Sequence, residues 1–128
     1  MSSAAFSLGA IGQIAVNATD IDRATTFYRD TLGLPHLFRA GTMSFFDCGG
    51  IRLMLGIAES PEFDHPSSIL YFRVEDIAEA HSTLTERGVA FVHEPRAVHA
   101  AEDHDLWLAF FRDSEDNVLA LMSEVPRG

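Results

Sequence analysis

The sequence has one cysteine, few basic residues and no long apolar run, and each shortage excludes a class of protein. A lone Cys48 can form neither an internal disulfide nor a cysteine-cluster metal site. No apolar stretch approaches the roughly 20 residues of a membrane-spanning helix. Nine basic residues stand against 19 acidic ones, a net charge of −10, whereas a nucleic-acid partner requires a basic face. We therefore expect no nucleic-acid and no membrane partner, and a reducing, cytoplasmic location.

The remaining composition is that of a folded domain. Apolar residues make up 47% of the 128 positions, which is enough for a hydrophobic core in one domain of this length. The first ten residues, MSSAAFSLGA, include no basic stretch and only a weakly apolar one. We expect residues 1–10 to form a flexible N-terminal lead and not a signal peptide.

The chain repeats one pattern. Residues 14–34 read IAVNATDIDRATTFYRDTLGL, and residues 70–90 read LYFRVEDIAEAHSTLTERGVA. Asp20 aligns with Asp76, 56 positions later, and each copy has an apolar strand, an Asp-Ile step, an amphipathic helix and a glycine. A repeat of this size in a short chain predicts two similar half-domains packed together. A binding site is then expected between the halves, where residues from both copies converge.

Apolar spacing and turn residues predict the order βαβββ in each half. Thr19 or Asp20 is expected to cap the first helix, which runs to Leu32, and Asp76 the second, which ends at Gly88. The expected strands are 11–17, 37–40, 42–48 and 51–57 in the first half, and 68–74, 89–93, 106–112 and 118–124 in the second. Residues 94–105 are expected to form a polar loop. The predicted fold class is α+β, with two βαβββ repeats forming curved mixed sheets around an open cup.

These elements divide the single structural domain into consecutive parts. The expected parts are a flexible lead at 1–10, the first βαβββ module at 11–57, a linker at 58–68 and the second βαβββ module at 69–128. The linker holds two prolines and no apolar periodicity.

Three stretches resemble the vicinal oxygen chelate superfamily, which includes glyoxalase I, extradiol dioxygenases and bleomycin-resistance proteins. They are DIDRATTFYRDTLGL, the repeat of this strand–helix start in the second half, and AFFRDSEDNVLALMSE, which is similar to the family's final hairpin. The resemblance spans residues 11–124 and is nearest to small bacterial members described as glyoxalase- or bleomycin-resistance-like. It implies the fold and a homodimer, but the superfamily hosts many reactions, so it does not imply one chemistry.

Family enzymes usually bind a divalent metal through four side chains, two from each half. By resemblance, these positions fall on Gln13, Met54, Ile69 and Ala120. Ile69 and Ala120 carry no donor atom, Met54 is a soft ligand, and Gln13 alone cannot hold a divalent ion. We therefore expect no metal site and no cofactor, and the cup remains as a site for a small-molecule ligand.

Strand alternation around these four positions predicts the lining of the cup. The lining is apolar with aromatic rings and a few polar groups, which suits an aromatic or amphipathic molecule. Arg52 and Arg73 are the expected anion-binding groups, unless both pair with surface acids. The expected ligand-binding residues are Gln13, Arg52, Met54, Ile69, Tyr71, Arg73, Phe110, Ala120 and Met122.

Catalytic residues are harder to assign. His104, at the rim of the cup, and Tyr71 are candidates for acid–base work. The loop that holds His93, His99 and His104 could instead bind a metal in an unconventional way, although its spacing matches no known ligand pattern.

Two functions follow from different classes of protein. The first is a metal-free, glyoxalase- or bleomycin-resistance-like protein that binds a small hydrophobic or aromatic molecule in the cup. The alternative is a lyase, isomerase or dioxygenase of the same superfamily with an altered active site. Whether the protein is an enzyme stays open at this point, since the residues do not name a ligand or a reaction.

Overall fold

The computed structural model describes residues 6–127, so part of the predicted lead (residues 1–5) and residue 128 lie outside the described residues. Residues 6–12 carry no regular secondary structure. The helices are α1, Ile21–Thr26, and α2, Ile77–Glu86, and a π-helical turn at Phe27–Thr31 continues α1. A 3₁₀ turn at Pro61–Phe63 lies in the linker. The strands are β1 Gln13–Asn17, β2 His36–Ala40, β3 Met43–Cys48, β4 Ile51–Gly56, β5 Leu70–Arg73, β6 Arg96–Ala100, β7 His104–Arg112 and β8 Val118–Pro126.

The strands form two four-stranded mixed sheets with the same internal order. The first sheet has the order β1-β4-β3-β2, and the second has the order β5-β8-β7-β6. In each, the first strand of the module pairs in parallel with the last. The register keeps the sequence repeat: Ala15 pairs with Met54, and Tyr71, 56 positions after Ala15, pairs with Ala120. The α+β fold with two βαβββ modules is therefore confirmed.

Both helices begin where the sequence predicts. The side chain of Asp20 accepts a hydrogen bond from the backbone N–H of Arg23 at 3.1 Å, and that of Asp76 accepts one from Glu79 at 3.0 Å. An N-cap carboxylate satisfies a backbone donor that has no partner within the helix. Gly88, with φ of 91°, follows the end of α2 in the left-handed region that favours glycine.

The expected strand at 89–93 is wrong, and so is the expected loop at 94–105. Phe91 forms only an isolated bridge with Phe111, while Val89 is buried in the core. The second strand of the second module is instead β6, within the predicted loop. All five residues of β6 are exposed, because it is the edge strand of the sheet. An edge strand buries neither face well, so it lacks the alternation of apolar residues that identifies a strand from sequence.

One core lies between the helices and the outer faces of the two sheets. Its buried members include Val16 and Leu53 from the first module and Leu84, Phe111 and Leu121 from the second. Since this single cluster includes residues of both modules, the two halves share a core. The opposite faces of the sheets, here called the inner faces, are covered by neither α1 nor α2.

The turn between β7 and β8 fastens the second module to the first. The polar residues of this turn include Asp113, Glu115 and Asn117. Asp113 accepts hydrogen bonds from the buried hydroxyl of Tyr28 at 2.6 Å and from the backbone N–H of Glu115 and of Asn117 at 2.8 Å. Burial, and then the charge of Asp113, raise the pKa of Tyr28 well above its usual range. Asp116 adopts a left-handed φ of 69°, which aspartate tolerates.

Glu115 caps the start of α1 from the other module. Its side chain, only 1% exposed, accepts hydrogen bonds from the backbone N–H of Thr19 and Asp20, both at 2.8 Å, and pairs with Arg23 at 2.8 Å. Burial alone would raise the pKa of Glu115, but the hydrogen bonds from Arg23, Asp20, Ser114 and Thr19 outweigh it and lower this pKa to about 2. A carboxylate at a helix N-terminus is also favoured by the helix dipole.

Candidate functional site

The inner face of the first sheet brings three of the expected ligand-binding residues together. Gln13 pairs with Arg52 across β1 and β4, and Met54 lies two residues further along β4. Arg52 Nε donates a hydrogen bond to Gln13 Oε1 at 2.8 Å, while Gln13 Nε2 lies 3.8 Å from the sulfur of Met54. The three side chains therefore form one contiguous group on this face.

Two aromatic rings extend this group across the sheet. Phe45 of β3 pairs with Met54, and the guanidinium carbon of Arg52 lies 5.5 Å from the centre of the Phe45 ring, within the range of a cation–π contact. Phe38 of β2 stacks on Phe45 with 4.4 Å between ring centres, and it is 45% exposed. Phe45 itself is only 8% exposed, so Phe38 is the ring that a ligand can reach, while the guanidinium of Arg52 lies against Phe45.

The linker covers one end of this face. A cavity of about 310 Å³ lies between the strands of the first sheet and the linker, and Ala15, Met43, Met54, Phe63 and His65 line it. The linker is held there by the side-chain amide of Asn17, which donates to the backbone carbonyl of His65 at 2.6 Å. The volume of this cavity lies at the lower end of the ~300–1,000 Å³ typical of small-molecule sites.

The inner face of the second sheet carries the other expected residues. Tyr71, Ala120 and Phe110 pair in one row across β5, β8 and β7, and Arg73 and Met122 belong to the next row. The rings of Tyr71 and Phe110 meet edge to face with 5.9 Å between their centres. Ala120 is fully buried, so its side chain offers little surface to a ligand.

A chain of charged groups lies at the end of this second face. Arg73 pairs with Glu124 at 3.0 Å, and the other carboxylate oxygen of Glu124 lies 3.6 Å from His104 Nε2. His104 Nδ1 lies 2.8 Å from Asp103, and this contact is the first cause of the lowered pKa of the Asp103 carboxyl. Arg73 thus has a surface acid as partner, whereas Arg52 is bonded to a neutral amide.

The four family metal positions fall into two groups. Gln13 and Met54 touch each other on the first sheet, while Ala120 lies on the second sheet with Ile69 just before β5. Between residues 6 and 127, no hydrogen bond, ion pair or ring contact joins the first group to the second. In the same span, no three His, Cys, Asp or Glu side chains form a group that could hold a metal ion, and this includes His93, His99 and His104.

Phe45, Phe38 and Glu124 belong to these faces but were absent from the sequence prediction. Phe45 could have been found, because the hairpin centred on Gly49-Gly50 places it opposite Met54. Phe38 could not, because a register shift between His36 and Phe38 in β2 breaks simple counting along the strand. Glu124 lies on β8 two residues after Met122, where alternation alone places it on the same face.

The family comparison matches almost the whole chain. A family model described as "Glyoxalase/Bleomycin resistance protein/Dioxygenase superfamily" matches residues 10–121. The chain is also 28% identical over 123 residues to "Uncharacterized protein YraH" of Bacillus subtilis (strain 168), covering 85% of this chain and 94% of that one.

Solved structures show the same fold. A member of this superfamily from Sphaerobacter thermophilus is 24% identical, with a TM-score of 0.76 over 91% of this chain and 98% of that one. A lactoylglutathione lyase from Agrobacterium tumefaciens is 22% identical, with a TM-score of 0.69 over 91% and 94%. Within residues 6–127, no helix has the length and apolar character needed to cross a membrane.

Proposed function

This chain belongs to the glyoxalase/bleomycin resistance protein/dioxygenase superfamily, and we propose that it binds a small aromatic or hydrophobic molecule on its inner faces without the family's divalent metal. The observation that carries the proposal is the contact between Arg52 and Gln13 at 2.8 Å. Where a metal ligand would be needed, the only oxygen donor is already bonded to a cation.

The chemistry of the donor set argues against a divalent ion. A metal bound to Gln13 Oε1 would have to displace the Arg52 guanidinium or lie beside a fixed positive charge, and either is unfavourable. The neighbouring thioether of Met54 is a soft, weak donor, while Ile69 and Ala120 offer none. We propose that the chain therefore has no metal cofactor, so no reaction step is assigned to one.

The same arrangement suits a flat organic anion. The exposed ring of Phe38, stacked on the buried ring of Phe45, offers an aromatic surface, and Arg52, which lies against Phe45, offers N–H donors that can pair with a carboxylate. No carboxylate of residues 6–127 forms an ion pair with Arg52, although the chain carries 19 acidic residues. An aromatic acid is the ligand class that this face favours.

Two measurements test the proposal. Elemental analysis of the purified protein, followed by titration with Mn, Ni, Fe and Zn salts, is expected to show no stoichiometric tight binding; a tightly bound equivalent would contradict it. A thermal-shift screen against aromatic acids, diketones and antibiotics is expected to find stabilising aromatic acids. Arg52→Gln should weaken their binding about 10- to 100-fold, the usual effect of a charge-assisted hydrogen bond. Arg96→Gln, on the exposed edge strand, is the matched control.

One observation favours the alternative, a lyase, isomerase or dioxygenase of altered site. His104, Glu124 and Arg73 form a chain of charged groups on the inner face that also carries Tyr71, so an acid–base group and aromatic rings share one face. If a turnover assay on a compound from the screen detects product, His104→Gln should abolish turnover while binding persists. Unchanged turnover in this variant would exclude His104 as the acid–base group of the reaction.

We also propose a homodimer in the cytoplasm. Large apolar side chains that are not among the proposed ligand-binding residues remain exposed, among them Leu37, Val92 and Val98, and a contact between copies would cover them. Light scattering coupled to gel filtration should give twice the chain mass of 14.1 kDa; a monomer at micromolar concentration would contradict the dimer.

A further inference from the structure

A second cavity lies on the outer side of the second sheet, opposite the inner faces. We call it the wedge. It has a volume of about 340 Å³ and lies between α2 and the residues that follow the π-helical turn. One face of α2, formed by Ala80, Thr83 and Leu84, is its first wall together with Arg87 just after the helix, and Leu32 and Leu34 form the second. The wedge is large enough for a small organic molecule.

The wedge reaches the core. Phe111 and Leu121, which line it, are 0% and 3% exposed. Leu34 and Phe72 also line a neighbouring cavity of about 730 Å³ between the two modules, so an apolar chain in the wedge could extend along β5. The lining of both cavities is mostly aliphatic, with few polar groups. This favours a ligand with an aliphatic body.

An exposed cation, Arg87, lies at the edge of this apolar space. Arg87 Nη1 donates a hydrogen bond to the backbone carbonyl of Thr31 at 2.8 Å, which holds the side chain across the gap between the modules. A guanidinium has five N–H donors, so most of them stay available for a ligand. A planar guanidinium pairs well with a carboxylate through two parallel hydrogen bonds.

Arg87 is one of three arginines without a carboxylate partner in the described structure. Six of the nine arginines pair with a carboxylate in the described structure, whereas Arg87, Arg52 and Arg96 do not. With 19 acidic residues available, an arginine beside a cavity and without a carboxylate partner indicates a place for an external anion.

The wall opposite α2 has an uncommon backbone. The backbone N–H of Leu32 donates to the carbonyl of Phe27, five residues earlier, at 2.9 Å. Such π-helical turns are rare and occur frequently at functional sites. This turn ends at Thr31, whose carbonyl positions Arg87.

We propose that the wedge is a second binding site, for a small carboxylate with an aliphatic body. The carboxylate pairs with the guanidinium of Arg87, and the aliphatic chain packs against Leu32, Leu34 and Phe72. The wedge lies on the outer side of the second sheet, although Arg73 also lines it. It contains neither Arg52 nor Phe38, so it does not depend on the function proposed for the inner faces.

Octanoate and 1-octanol, compared by isothermal titration calorimetry, test the proposal. Octanoate should bind the full chain with one site, and 1-octanol about 10- to 100-fold more weakly, because it cannot form the charged pair. Arg87→Gln should reduce the affinity for octanoate to that for 1-octanol and leave the affinity for 1-octanol unchanged. A purely structural role for Arg87 would weaken both ligands equally and would overturn the proposal.

Three further variants separate the wedge from the inner faces. Ala80→Phe fills the wedge and should abolish binding of both ligands, with circular dichroism confirming that the variant is folded. Arg96→Gln removes the same charge on the exposed edge strand and should change the octanoate affinity less than twofold. A loss of octanoate affinity in Arg52→Gln but not in Arg87→Gln would place octanoate on the inner face. This result would overturn the proposal for the wedge and leave the proposed function standing. Absence of saturable octanoate binding to the unmodified chain would also overturn it.

Discussion

Glu115→Gln tests whether one carboxylate fastens the two modules to each other. The substitution keeps the size of the side chain and removes its charge. It weakens the hydrogen bonds from the backbone N–H of Thr19 and Asp20 and removes the ion pair with Arg23 at 2.8 Å. Since Glu115 is almost fully buried, a neighbouring water cannot replace these contacts well.

The expected loss of stability follows from the pKa of Glu115. The ordinary pKa is 4.5 and the folded state lowers it to about 2. Each tenfold change in proton affinity corresponds to about 1.4 kcal/mol, and Arg23 is half exposed, so solvent screens part of the interaction. We expect the free energy of unfolding to fall by roughly 2 to 3 kcal/mol at pH 7. For a domain of this size, this lowers Tm by roughly 6 to 15 °C.

The pH dependence has a definite sign. Because the pKa is lower in the folded state than in the unfolded state, the stabilisation is complete above about pH 4.5 and disappears as the pH falls through about 2. A protonated glutamate is uncharged, as glutamine is. The difference in stability between the unmodified chain and Glu115→Gln should therefore shrink between these two pH values.

Urea unfolding followed by circular dichroism, at several pH values from 7 down to 2, measures this difference. Asp116→Asn is the matched control, because Asp116 lies in the same turn, is exposed, and loses the same charge. Asparagine also tolerates its φ of 69°, so the control should change stability by less than about 0.5 kcal/mol. A loss in Glu115→Gln that is equally small at pH 7, or one that does not depend on pH, would refute the reasoning.

Three further predictions concern buried or strained groups. Tyr28→Phe removes the donor to Asp113 at 2.6 Å and should lower the free energy of unfolding by about 1 to 3 kcal/mol, measured in urea; a neutral result would mean that the remaining donors to Asp113 suffice. Burial and the charge of Asp47 raise the pKa of Cys48, so its thiol should react with iodoacetamide at pH 8 more slowly in the folded than in the unfolded chain, as mass spectrometry would show. Gly88→Ala should cost about 1 kcal/mol, because its φ is 91° although no atom lies within 4 Å of the added methyl group; an unchanged urea midpoint would contradict this.

The elements that the sequence predicted are those with a strong local signal. Asp20 and Asp76 cap their helices through their own side chains, and Gly49-Gly50 forms the expected turn with positive φ at both residues. These features depend on contacts within four residues of the chain. The edge strand β6 and the π-helical turn were missed, because an exposed edge and a backbone irregularity leave no periodic pattern.

The candidate site was predicted only in part for a related reason. The repeat and the alternation of strand residues place Gln13, Arg52 and Met54 on one face, as the structure does. The repeat and the alternation do not indicate which partner each arginine has: Arg52 bonds to Gln13, whereas Arg73 pairs with Glu124. The hydrogen-bond or ion-pair partner of a long side chain depends on the neighbouring strands in the sheet, and these come from distant parts of the chain.

The sequence by itself determined the two βαβββ modules, the helix caps and the acidic charge of this protein, because composition, repeat and local hydrogen bonding are all encoded within short stretches. Only the tertiary structure decided that Glu115 would dock on the start of α1 and that Arg87 would reach Thr31 across the two modules. Arg23 and Glu115 are 92 positions apart in the sequence, and no local pattern indicates such a contact. It forms because burial of the shared core brings the two modules together.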